Sequence, residues 1–234
     1  MLIASLLATL AHATPPHDEV GIGPALAFAP FREQQVSARR NGGGTGGALL
    51  SLDRRGVRRY DRLLVSFTMG RDDGWRWGGG DLRFTIAPDV AELGPMVLRV
   101  GGEAEVGAMV RTWLDNVGWR GQATLGPAMA LAWPFHEGAS RWTAELVAST
   151  PVFGLIGRPG YAAALQTGSL STQDFSFATF NRHRGGRLLA SLLWEREGRA
   201  SVRFQAELGG RVITWRHRLA EVNHVLSTLL YWRL

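Results

Sequence analysis

Apolar and polar residues alternate one by one along much of the chain. In Leu63-Leu64-Val65-Ser66-Phe67-Thr68-Met69 the odd positions are apolar, with Ser66 and Thr68 between them. Leu82-Arg83-Phe84-Thr85-Ile86 and Arg141-Trp142-Thr143-Ala144-Glu145-Leu146 repeat the pattern, and Ser201-Val202-Arg203-Phe204-Gln205-Ala206-Glu207-Leu208 carries it furthest. A period of two gives a strand one apolar and one polar face. Punctuated by turn residues, the pattern predicts strands near 21–30, 46–54, 58–70, 80–88, 95–108, 121–134, 141–153, 186–196, 199–215 and 223–234. The links alternate in length. Short turns are expected at 55–57, 89–94, 135–140 and 197–198, and longer segments at 31–45, 71–79, 109–120, 154–185 and 216–222. Short turns at one end and long loops at the other are the habit of outer-membrane barrels. The expected fold is therefore all-β: an antiparallel up-and-down transmembrane β-barrel of about ten strands. Eight or twelve strands stay open, since 154–185 has room for another hairpin at Asp174–Phe180.

Tryptophan placement points the same way. Trp75, Trp77, Trp113, Trp119 and Trp215 fall at the expected long-loop ends of strands, and Trp133, Trp142, Trp194 and Trp232 at the short-turn ends. Indole rings favour the membrane–water interface, so two aromatic girdles are expected. The final segment, Val225 to Leu234, puts Leu226, Leu230, Trp232 and Leu234 on one face, similar to the terminal strand that barrel-assembly machinery reads. The run Leu125–Trp133, then Arg141–Leu146, then Arg158-Pro159-Gly160-Tyr161, resembles uncharacterised outer-membrane β-barrel proteins of bacteria. That resemblance spans residues 20–234 as an architecture and implies no activity.

The first residues add an export signal. Leu2–Leu10 is apolar apart from Ser5 and Thr9, Ala11-His12-Ala13 fits a small-x-small cleavage site, and Thr14-Pro15-Pro16 breaks any helix. No basic residue precedes the apolar run. Residues 1–13 are read as a signal peptide and 14–234 as the barrel domain, located in the bacterial outer membrane. The chain contains no cysteine, which excludes a disulfide framework, a thiolate zinc site and a cysteine nucleophile. Its net charge is +6, and every basic residue is arginine. The arginines form no stripe or long run, so no nucleic-acid partner is expected. The partners expected are outer-membrane lipids and the assembly machinery, with a protein partner possible at the outer loops or the barrel wall.

Chemistry is harder to find. Gly42–Gly47 lacks the lysine and the helix of a phosphate loop, and Gly78-Gly79-Gly80 reads as a loop or a strand kink. Asn223, His224 and Ser227 resemble the residue types of outer-membrane phospholipases, but His224 and Ser227 are three apart and point to opposite faces of a strand. Asp72, Asp73, His183 and His217 fall in expected outer segments, where a carboxylate pair and a histidine base could activate water. No metal site and no cofactor are expected.

The polar face is more informative. Arg83, Arg99, Glu103, Glu105, Gln122, Glu145, Arg187, Glu195, Arg203, Gln205 and Glu207 are expected to face the lumen. A ten-stranded barrel is narrow, and mixed arginine and glutamate there predict pairing that plugs it. A selective pore would carry one sign of charge at its constriction. The expected function is a non-enzymatic structural, anchoring or docking barrel. The alternatives are a lipid or peptide hydrolase at the outer mouth, a narrow channel, and a soluble periplasmic β-protein.

Overall fold

A computed structural model describes residues 17–28, 31–33, 44–55, 59–72, 75–113, 116–157, 175–196, 200–214 and 219–234. The expected signal peptide lies outside them. Among the described residues every regular element is a strand: β1 (His17–Phe28), β2 (Phe31–Glu33), β3 (Gly44–Arg55), β4 (Arg59–Asp72), β5 (Trp75–Leu93), β6 (Met96–Trp113), β7 (Asn116–Glu137), β8 (Ser140–Ser149), β9 (Phe153–Gly157), β10 (Phe175–Thr179), β11 (His183–Arg196), β12 (Ala200–Ile213) and β13 (Leu219–Arg233).

All pairings are antiparallel, and they close. The ring runs β1-β3-β4-β5-β6-β7-β8-β11-β12-β13 and returns to β1 through pairs such as Ile22 with Leu230. These are ten strands in up-and-down order. The other three extend ring members. β2 follows β1 along β13, β9 follows β8 along β7, and β10 pairs with β9 before the chain turns into β11. In and beside 154–185 the described residues form β9 and β10, which lengthen the wall without adding strands to the ring, while 158–174 lie outside the described residues. Two of the short turns are two-residue hairpins that begin with Gly94 (φ 63°) and Gly138 (φ 59°). Such hairpins need a positive φ, which glycine adopts without strain.

Two expected outer loops, 71–79 and 109–120, are instead strand. β4 and β5 are separated only by residues 73–74, and β6 and β7 only by 114–115. In the first of them the glycine-rich stretch Gly78-Gly79-Gly80 was the misleading signal. A Cβ on Gly79 would crowd the Ala108 carbonyl, and one on Gly80 would sit 2.7 Å from the Ser66 carbonyl. These glycines permit close strand approach instead of ending the strands.

The two faces of the wall are reversed relative to a soluble protein. Leu26 is 70% exposed and Phe204 48%, and Leu50, Phe67, Phe84, Val106, Leu125, Met129, Leu146 and Leu208 also stand outward. Arg62, Arg83, Glu103, Glu145, Arg203 and Glu207 are buried. Along β12 the alternation continues through Gly209-Gly210, and the ladders to β11 and β13 keep one register there. In lipid every backbone polar group must be satisfied internally, and closing the ring of ten strands does this along their paired lengths.

Candidate functional site

Parity alone decides which side chains enter the lumen. On β12, Val202, Phe204, Ala206 and Leu208 take the outward positions, so Arg203, Gln205, Glu207 and Arg211 face inward. Inward charges from β3 to β8 and β11 to β13 meet in three tiers.

The tier nearest the short turns joins seven strands. Arg62 Nε donates to Asp53 Oδ1 at 3.1 Å, and Arg62 Nη2 to the Tyr231 hydroxyl at 3.0 Å. Arg203 reaches Asp53 on one side at 2.9 Å and Glu145 on the other at 3.3 Å, with its guanidinium 5.3 Å from the Tyr231 ring centroid. Arg99 bridges Asp89 at 2.7 Å and lies 3.7 Å from Glu145. Arg62, Arg99 and Arg203 thus balance Asp53, Asp89 and Glu145. In the middle tier Arg83 crosses the lumen from β5 to Glu207 on β12, five strands away around the ring, at 2.6 Å. Arg187 bonds Glu103, which also accepts from Thr85 and Ser149. In the outer tier Arg111 and Arg120 both bond Glu221, with Arg211 at 3.5 Å. Arg211 also bonds Gln122, which donates to Glu105. A buried charge is tolerable only when it is paired and hydrogen-bonded, and these tiers pair charges across the full width of the tube.

Arg83, Glu103, Gln122, Glu145, Arg203, Gln205 and Glu207 are buried, and Arg99 and Glu105 half-buried. All but Gln205 have bonds given above. Asp53, Arg62, Arg111, Arg120, Arg211 and Glu221 join them without having been singled out in the sequence. The signal was available. Arg62 shares the parity of Ser66 and Thr68, Arg111 that of Glu103, and Arg211 that of Arg203.

Of the tryptophans, Trp133 and Trp232 are exposed on the outward face near the short turns. Trp142 packs 6.2 Å from Trp194 and stacks on Phe135 at 6.3 Å. Trp119 lies 5.7 Å from Phe175. Trp77 is a correction: it is 6% exposed and shares the inward parity of Arg83, because β5 runs unbroken past it. Trp75 and Trp113 pair across β5 and β6, and Trp215 lies outside the described residues.

Among the described residues the hydrolase candidates are not seen to come together. His183 is 4% exposed, inside the wall. Asp72 ends β4, while Asp73 and His217 lie outside the described residues. His224 is exposed on the outward face, and Ser227 is buried on the inward one.

A closed, even-stranded, single-chain barrel that is apolar outside and charged inside is the construction that crosses bacterial outer membranes. This chain is an outer-membrane β-barrel. No protein-family model and no curated protein matches it. Among solved structures, it is similar to the outer membrane protease OmpT from Escherichia coli, at 6% identity and a TM-score of 0.49, with 95% of this chain and 98% of that one covered. The translocator domain of the autotransporter NalP from Neisseria meningitidis is similar at 9% identity and a TM-score of 0.47, covering 100% and 94%. Ail of Yersinia pestis, in complex with the heparin analogue sucrose octasulfate, is similar at 9% identity and a TM-score of 0.33, covering 94% and 100%.

Proposed function

We propose that this outer-membrane barrel is a non-enzymatic anchoring or docking protein with a plugged lumen, whose contacts with partners are made at its outer rim and wall. The observation that carries this reading is the three-tier network. Arg83–Glu207 and Arg111–Glu221 each link strands on opposite sides of the ring, and every tier holds both signs of charge. Ion selectivity calls for a ring of one sign, whereas paired opposite signs hold the wall together and fill it. Trp133, Trp142, Trp194 and Trp232 serve as the girdle at the short-turn end, and residues 1–13 as the export signal.

Planar-bilayer recording of the folded protein tests the plug. The expected trace is silent, and truncating both Arg83 and Glu207 to alanine produces conductance. Steady conductance in the unaltered protein would replace the plug with a channel. Purified barrel is expected to show no phospholipase, lipid A deacylase or protease turnover. Turnover abolished by His183→Ala would instead make it a hydrolase. Intact-mass measurement of the exported protein is expected to place its start near Thr14, and retention of Met1 would remove the signal peptide from the account.

A further inference from the structure

The wall has a seam. β8 pairs with β11 up to Ser149 opposite Arg187, and β9 pairs with β10 from Phe153 opposite Thr179. Between these pairs, residues 150–152 on one side face residues 180–186 on the other. Residues 183–186 stay on β12, so the ladder between β8 and β11 opens at this level. Thr150 Oγ1 donating to the Gly185 carbonyl at 2.8 Å spans the gap.

Behind the seam lies a cavity of about 50 Å³, bounded by Thr150, Pro151 and Gly186 on the wall side and by Arg83, Arg187 and His183 on the lumen side. Three glycines without a packing need contribute backbone to it; Gly209 shares the inward parity of Glu207 and Arg211, while Gly186 and Gly210 share the outward parity of Leu188 and Leu208. A Cβ on Gly186 would meet nothing closer than the Ser149 carbonyl at 3.6 Å, on Gly209 nothing closer than 3.9 Å, and on Gly210 nothing closer than 3.8 Å. None of the three has a positive φ. Glycine inside a strand is otherwise unfavourable and often marks a close approach by something else. Arg83 Nε, Arg187 Nε and His183 Nε2 are buried and have no hydrogen-bond partner among the described residues. Just outside, Leu188, Leu208 and Phe153 are exposed on the lipid face.

From this juxtaposition we propose that the cavity binds the uncharged, hydroxyl-bearing headgroup of a membrane amphiphile, which enters through the seam while its hydrocarbon chain stays on the wall. Charge decides the class. Arg83, Arg187 and Arg211 at the cavity are matched by Glu103, Glu105 and Glu207, so an ionic headgroup of either sign meets an equal number of like charges. A hydroxyl both accepts from the open arginine N–H groups and donates to the carboxylates. The space suits hydroxyl groups, since a site of this size holds water-sized groups.

The test uses the full-length barrel folded in an amine-oxide detergent, incubated separately with a C16 monoacylglycerol and with the matching fatty acid, and read by native mass spectrometry. Folding is checked by the change in gel mobility on boiling. The unaltered protein is expected to retain the monoacylglycerol stoichiometrically and the fatty acid far less. Gly209→Leu, which fills the cavity from inside, is expected to weaken retention at least about tenfold. Ala206→Leu, on the lipid face, is expected to leave it unchanged. If Gly209→Leu does not fold, Gly209→Val fills the same cavity with a smaller side chain. Equal retention in the filled and open barrels, or none in the open one, overturns the site. Equal retention of the fatty acid overturns the assignment to an uncharged headgroup. A conducting barrel would leave these outcomes unchanged, so this inference and the plug are judged separately.

Discussion

At the short-turn end of the barrel, Arg203 sits between Asp53 and Glu145, and Arg62 holds both Asp53 and Tyr231. The ladders around this tier stay closed, with one register shift between Asp89 and Ala91, and its charges are matched. At the seam, the same residue types stand beside an open ladder, glycines leave space, and Arg83 and Arg187 keep an N–H group unused. Sequence composition alone does not separate these regions, since both are arginine and glutamate among small residues. Each region also keeps arginine N–H groups without a hydrogen-bond partner among the described residues, Arg62 Nη1 and Arg203 Nε in the first and Arg83 Nε and Arg187 Nε in the second. What separates them is whether the ladder beside the charges is closed or open. The first region holds the barrel closed, and the second is where it can accept something else.

The largest effect is expected from Arg203→Leu. It takes a cation from two buried carboxylates, and breaking a buried pair costs about 3–5 kcal/mol. Urea unfolding of the barrel in lipid vesicles measures it, and a loss below about 1 kcal/mol, as for an exposed pair, would mean that the tier is solvated. Phe204→Arg, one residue on and facing lipid, is expected to cost about 2–4 kcal/mol near the bilayer midplane. A neutral result would dislodge the strand register.

The seam itself separates two kinds of glycine. β9 follows β8 along β7 only after a step at residues 150–152, where Thr150 N–H donates to the Pro127 carbonyl at 3.2 Å and Val152 N–H to the Leu125 carbonyl at 3.0 Å. A Cβ on Gly126 would run into the Thr150 carbonyl. Gly126→Val is therefore expected to cost about 1–3 kcal/mol through overpacking. Gly186→Ala meets no such obstacle and is expected to be neutral or to stabilise by about 0.5 kcal/mol. Equal losses at both positions would erase the distinction drawn between them.

Much of this architecture was legible in the sequence. Ten strands follow from alternation and turn residues, and their outward faces from residues such as Phe204 and Leu208. The lumen chemistry was legible by parity but not by partner. Nothing local tells Arg83 that Glu207 stands opposite, because that depends on closing the ring. The extension of β5 past Trp77 was hidden because its glycines serve strand approach, a tertiary property. The seam was hidden for the same reason. Pro151 marks an irregularity in the sequence, but only the pairing of β7 with both β8 and β9 reveals Gly126 beneath it.

The central claim is that the outward face of the wall is apolar and lies against lipid, while the charged residues turn into the tube. A fluorophore on a single cysteine at Phe204→Cys or Gln205→Cys, in vesicles whose lipid chains are brominated at mid-depth, tests it directly. The account predicts strong quenching at 204 and little at the neighbouring 205. Equal quenching at both, or stronger quenching at 205, would contradict it.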